Sequence, residues 1–207
     1  MKTFKTLLIP LLVFVLPLHT NAKNMETHFY HQTTKDAVVL DHIVDNYQSM
    51  INDSNLCWAA CMESLIKGYK INSEVGYQQL EIAHYYNNRV LHGSVKSQYV
   101  EKIAMCDKDH ITMYERAGFN IESIEIETLE NLSETQTLLK NNNTLLIRRL
   151  ENERSHILMI VGSMHGRYMI LDPDANSKGI YYWSPNKITE KYGIEKLWAV
   201  SVHTPES

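Results

Sequence analysis

Three residues far apart in the chain have side chains suited to acyl transfer: Cys57, His156 and Asp172. A thiolate is a strong nucleophile, an imidazole moves protons near neutral pH, and a carboxylate can fix the imidazole's tautomer. The chemistry requires all three to meet, so the stretch around each decides the matter. Cys57 opens the run Cys57-Trp58-Ala59-Ala60 and continues to Tyr69. Within it Trp58, Met62, Leu65, Ile66 and Tyr69 recur at helical spacing, which predicts a buried helix. Asp53, Ser54 and Asn55 stand just upstream, and any of them could cap it. Cys57 then lies in the first turn, where free N–H groups and the positive end of the helix dipole favour an anion. Taken alone, a helical cysteine is more often a small buried apolar residue.

The other two residues fall in a predicted hairpin. His156-Ile157-Leu158-Met159-Ile160-Val161-Gly162 is apolar on both faces, the mark of a central strand. Gly162 to Gly166 is turn chemistry, and Arg167 to Leu171 returns as a strand that Pro173 ends. A turn centred on Met164 sets His156, eight residues before it, directly opposite Asp172, eight residues after it. Opposed residues on antiparallel strands share a face, with Cβ atoms about 5 Å apart. A slip of one residue would send them to opposite faces.

The elements that must position this set fall into two halves. Helical patterns run from the Cys57 helix through a stretch after Ser73, another over Lys96 to Met105, and a third ending at Gly118. After a strand near Ile121 to Ile126 and a helix from Thr128 to Leu138, strand patterns prevail. They cover Thr144–Leu150, His156–Gly162, Arg167–Leu171, Gly179–Trp183 and Trp198–Val202, with a short helix near Asn186 to Tyr192. Helices first and a mostly antiparallel sheet second is an α+β arrangement.

Residues 1–22 have the form of a secretory signal: Lys2 and Lys5, an apolar stretch from Leu7 to Leu18, then small residues at Thr20 and Ala22. The expected product is exported, periplasmic or secreted. Residues 23–47 read as an N-terminal arm and 48–207 as one domain. Without Lys2 and Lys5 the balance is 24 acidic to 18 basic groups, a formal charge of −6. There is no basic stripe for nucleic acid and no later apolar run able to span a membrane. The three cysteines are Cys57, Cys61 and Cys106. An odd count in an exported chain suggests one disulfide and one free thiol. Cys57 and Cys61 share a helix, so Cys61–Cys106 is the expected pair.

Cys57-Trp58-Ala59-Ala60, the strand His156 to Gly162, and Leu171-Asp172-Pro173 together resemble the papain-like cysteine peptidases. The resemblance is closest to the bacterial branch of secreted effector proteases and bacteriocin-leader-processing peptidases. It implies a papain-like fold, a protein or peptide substrate and no cofactor or metal. It implies that Cys57 is the nucleophile, His156 the general base and then acid, and Asp172 the group that orients His156. The family pattern also has a glutamine about six residues before the cysteine, helping to stabilise the oxyanion. Ile51 stands there in this chain; Gln48, nine before Cys57, is the expected substitute if Asn52 to Ser54 bulge out. Two alternatives keep this fold: acyl transfer or isopeptide cleavage, and a catalytically inactive binding module. No Gly-x-Ser-x-Gly elbow or His-Glu-x-x-His motif supports a serine or zinc hydrolase.

Overall fold

The computed structural model describes residues 37–151, 154–174, 179–186, 188 and 193–202. The expected signal segment 1–22, the arm as far as residue 36 and most of the helix expected at 186–192 lie outside the described residues.

The helix that begins at Cys57 is the internal support of the fold. This helix, α2 (Cys57–Tyr69), is buried at every position except Lys67 and Tyr69. It is therefore a core helix rather than one with a single apolar stripe. Its one buried acid, Glu63, pairs with Lys67 one turn on at 2.5 Å. Lys70, in the left-handed conformation at φ 55°, ends it. Before it come β1 (Val38–Val39) and the single turn α1 (Asp41–Val44). α1 crosses α2 closely at Gly68, where a Cβ would stand 2.6 Å from Ile43 Cδ1 and 2.8 Å from His42 O. Residues 37–47, read from the sequence as arm, are thus built into the body. Ile43 is fully buried, and β1 pairs with a strand of the main sheet.

α3 (Gln79–Arg89), a 3-10 helix (Ser97–Lys102) and α4 (Asp107–Arg116) complete the helical half. The helix expected after Ser73 starts six residues later, and Ser73 Oγ accepts the Val75 N–H instead of capping it. Then follow β2 (Phe119–Ser123), a 3-10 turn (Ile126–Glu130), and α5 (Leu132–Lys140), which Asn131 caps through the Glu134 N–H. The remaining strands are β3 (Thr144–Glu151), β4 (Arg154–Met164), β5 (Arg167–Leu171), β6 (Ile180–Trp183) and β7 (Ile194–Val202). The sheet runs β2-β7-β3-β4-β5-β6, with β1 added beside β4. All its pairings are antiparallel, as the α+β reading required.

β4 is apolar on both faces because both are covered. Ile157, Met159 and Val161 belong to the core with Trp58, Met62, Leu65 and Ile66 of α2. Leu158 and Ile160 join a second core with Leu145, Ile147, Ile170 and Leu129.

The hairpin register departs from the expected one. The turn centres on His165 and Gly166, so Met164 pairs with Arg167 and Ser163 with Tyr168. Continued unbroken, that register would put His156 and Asp172 on opposite faces. A β-bulge at Val161 adds one residue to β4, after which Ile160 pairs with Ile170 and Met159 with Leu171. The extra residue restores the shared face. His156 and Asp172 are diagonal neighbours, not directly opposed ones.

Candidate active site

Each member of the set is placed by a different element. Cys57 is the first residue of α2 and is buried at 7 % exposure. Next to it, Trp58 is locked by an Nε1–H bond to Ile103 O at 3.0 Å and an edge-to-face contact with Tyr86. No side-chain oxygen caps the helix, whose N-cap is Leu56. Of the three expected caps, Ser54 comes nearest, but its hydroxyl is engaged by Ile51 O and the Leu56 N–H. The amides of the first turn are thus left unclaimed by a cap, a donor cluster at the positive end of the helix.

His156 lies near the start of β4 and Asp172 just beyond β5. His156 Nε2 donates to Asp172 Oδ1 at 2.7 Å. A carboxylate only accepts, so the proton is on Nε2 and Nδ1 is left for Cys57, which hydrogen-bonds the same ring. Their side chains are 13 % and 6 % exposed. Burial pulls the His156 pKa down, but the hydrogen bonds and charges of Asp172 and Cys57 outweigh it and hold the imidazolium to about 9. Asp172 Oδ1 also accepts the Asp174 N–H at 3.0 Å, a local turn that fixes the carboxylate's aim.

Residues 40–188 match a family model described as papain-like cysteine protease AvrRpt2. The chain belongs to this papain-like family. No curated protein matches it. Among solved structures it is similar to the peptidase domain of Streptococcus ComA, a bi-functional ABC transporter involved in quorum sensing. That similarity has 16 % identity over 75 % of this chain and 95 % of that one, with a TM-score of 0.47. The peptidase domain of Streptococcus mutans ComA gives 13 % identity, 77 % and 99 % coverage, and a TM-score of 0.42.

Within this papain-like chain, Gln48 is held through both its main chain and its side chain. Its backbone N–H bonds Ser64 Oγ, two turns along α2 from Cys57, and its side-chain amide donates to Asn46 O. Between Gln48 and the helix, the exposed residues Ile51, Asn52 and Asp53 form a turn that the Ser54 N–H closes on Ile51 O at 3.1 Å. The Cys61–Cys106 bridge is also absent, and all three thiols are free. Cys61 points its Sγ at Ile157 O at 3.8 Å, and burial holds its thiol well above the ordinary range. Cys106, at the N-cap of α4, is exposed.

Three residues matter that the sequence did not single out. Gln79, 7 % exposed, grips the approach to Cys57: Oε1 accepts the Ile51 N–H and Nε2 donates to Ser49 O. Tyr47 donates its hydroxyl to Asp172 O, and the Met50 N–H bonds Pro173 O at 2.7 Å. Burial of Tyr47 raises its pKa to about 12, so it stays a donor. These bonds fasten the segment before the nucleophile to the segment carrying Asp172. Arg149 on β3 is the third: Nη2 stands 3.9 Å from Asp172 Oδ2. Gln79 and Tyr47 carry no signal in sequence. Arg149 had one, because adjacent arginines on a strand point to opposite faces, so one of Arg148 and Arg149 is turned to the face of the site and needs a partner there.

A cavity of about 320 Å³ opens elsewhere, beside β2 and β7, lined by Glu115, Asn120, Glu122 and Ser201 among others. Among the described residues no group of three His, Cys, Asp or Glu side chains is placed to hold a metal ion. No helix there is long and apolar enough to cross a membrane.

Proposed function

We propose that the chain is an exported cysteine peptidase that hydrolyses peptide bonds through a thioester on Cys57. The observation that carries this reading is the 2.7 Å His156–Asp172 bond, with Cys57 on the same imidazole. His156 takes the Cys57 proton, which sets a thiolate beside an imidazolium held by Asp172. The thiolate attacks the scissile carbonyl carbon, and the developing oxyanion falls to the first-turn N–H groups of α2, led by that of Cys57. Collapse of the tetrahedral adduct breaks the C–N bond as His156 gives its proton to the leaving amine. Water then enters, loses a proton to His156 and attacks the thioester. The acid departs and Cys57 is regenerated as thiolate beside imidazolium. Gln48, whose side-chain amide donates to Asn46 O, is the candidate side-chain donor beside these amides.

Export rests on the Lys2-to-Ala22 pattern, and the mature protein then begins near Lys23. The test of function is to incubate the mature protein with a peptide library and sequence new termini by mass spectrometry. New N-termini that vanish in Cys57→Ala and His156→Ala support hydrolysis. Products joined to an added amine would make it a transferase. No product at all, with the fold intact, would return the chain to the binding-module reading.

A further inference from the structure

Arg149, His156 and Asp172 form a row across three neighbouring strands. Arg149 pairs directly with His156 in the β3–β4 register, and Asp172 follows β5, diagonal to His156 on the same face. The carboxylate is divided between its neighbours: Oδ1 takes the His156 proton and Oδ2 faces the Arg149 guanidinium at 3.9 Å. That separation is too long for a hydrogen bond, so the contact acts by charge. Both side chains are largely shielded from water, at 12 % and 6 % exposure, where charge is poorly screened.

We propose that Arg149 is a positioning residue of this site, acting through Asp172 to balance the charge of the Cys57–His156 pair. The inference rests on the cysteine-peptidase reading. With the Cys57 thiolate formed, Cys57 and Asp172 are negative and His156 and Arg149 positive, so Arg149 offsets part of the negative charge around the imidazolium. Without Arg149 the net charge around His156 becomes more negative by one unit. The imidazolium is then held more tightly and becomes a poorer acid toward the leaving amine. Among the described residues, the charged groups near His156 are Cys57 from α2, Asp172 from the segment after β5 and Arg149 from β3, while Asp174 meets Asp172 through its backbone N–H. Tyr47, from the segment before α2, touches Asp172 through its main chain.

The test is the pH dependence of Cys57 alkylation by a small haloacetamide, from pH 5 to 10.5, on the mature protein. Wild type, Arg149→Met, Arg149→Gln, Arg149→Lys and His156→Ala are compared, each checked for folding by circular dichroism. In the wild type the upper transition, which marks loss of the His156 proton, falls near pH 9. In whichever neutral variant folds it moves up by about one unit, the scale of one nearby charge in a poorly screened site. Arg149→Lys, which keeps a point charge, stays within about 0.3 unit of the wild type. An upper transition that stays put or moves down in the neutral variants overturns the proposal and leaves the peptidase reading standing. A wild-type profile without any His156-dependent transition overturns both.

Discussion

His156 performs a task that its surroundings oppose. A buried imidazole ordinarily loses its proton, yet this one keeps it up to about pH 9 because Asp172 and Cys57 face it. Replacing Asp172 by alanine removes both the acceptor and a charge. The upper transition of Cys57 alkylation then falls from about 9 toward 6.5, and peptide turnover drops about 100-fold or more. An unchanged transition in Asp172→Ala would mean that the carboxylate does not govern the ring. Cys57, His156 and Asp172 were legible because their types, order and setting (helix start, strand start, strand end before proline) are written in the chain. The surroundings of Gln48 were not legible, because nothing in its residue type records the path of the backbone after it. The engagement of Ser64 Oγ by its N–H is a tertiary event. Gln79, holding the Ser49–Ile51 segment from another helix, was hidden for the same reason.

At the scale of the element, β4 decides whether the residues can meet. Its hairpin was visible as two apolar runs about a polar turn, but the turn centre was displaced and the Val161 bulge compensates. The one written signal of the bulge was Gly162, a glycine inside a strand. Its absent side chain leaves room for β1: a Cβ there would come within 2.8 Å of Val38 O. Gly162→Ala is therefore expected to loosen β1 and cost about 1–3 kcal/mol, read from the midpoint of urea unfolding. Cys57 reactivity should survive, since His156 lies at the other end of β4. A variant as stable as the wild type would show that β1 yields freely. Gln79→Leu makes the complementary case in the helical half. Two part-buried backbone groups, the Ile51 N–H and Ser49 O, lose their partner, at a cost of roughly 0.5–1.5 kcal/mol in the same assay.

Over the whole molecule two histidines set opposite pH limits. His156 has a folded pKa near 9, above its ordinary 6.5. The stability it contributes is fully present below pH 6.5 and is lost as pH rises through 9. His110 is the reverse case. It is 2 % exposed, stacks on Trp198 at 5.2 Å, and its Nδ1 meets no partner among the described residues. Burial lowers its pKa to about 4. The unfolded chain takes up a proton below pH 6.5 that the folded chain refuses, so stability falls between 6.5 and 4, by on the order of 2–3 kcal/mol. Maximum stability is thus expected near pH 6.5. His110→Phe, which keeps the stack and removes the titration, should flatten the acid side in urea titrations at pH 4.5 and 6.5. An equal acid loss in that variant would assign the effect elsewhere. The division into a helical first half and an antiparallel second half was readable from periodicity. Ala37 to Leu40 could be read as a short strand, and β1 lies there; the incorporation of residues 41–47 was not legible, because a one-turn helix has no period to detect.

The central claim is that Cys57 and His156 act as one unit. The direct measurement is alkylation of the mature protein across pH 4 to 9, with the label located by tryptic mass spectrometry and His156→Ala run in parallel. Cys57 should label fast near pH 6 and revert to ordinary thiol behaviour in the variant. Cys61 should stay unlabelled in the folded protein. A Cys57 that is inert, or equally reactive without His156, would contradict the account.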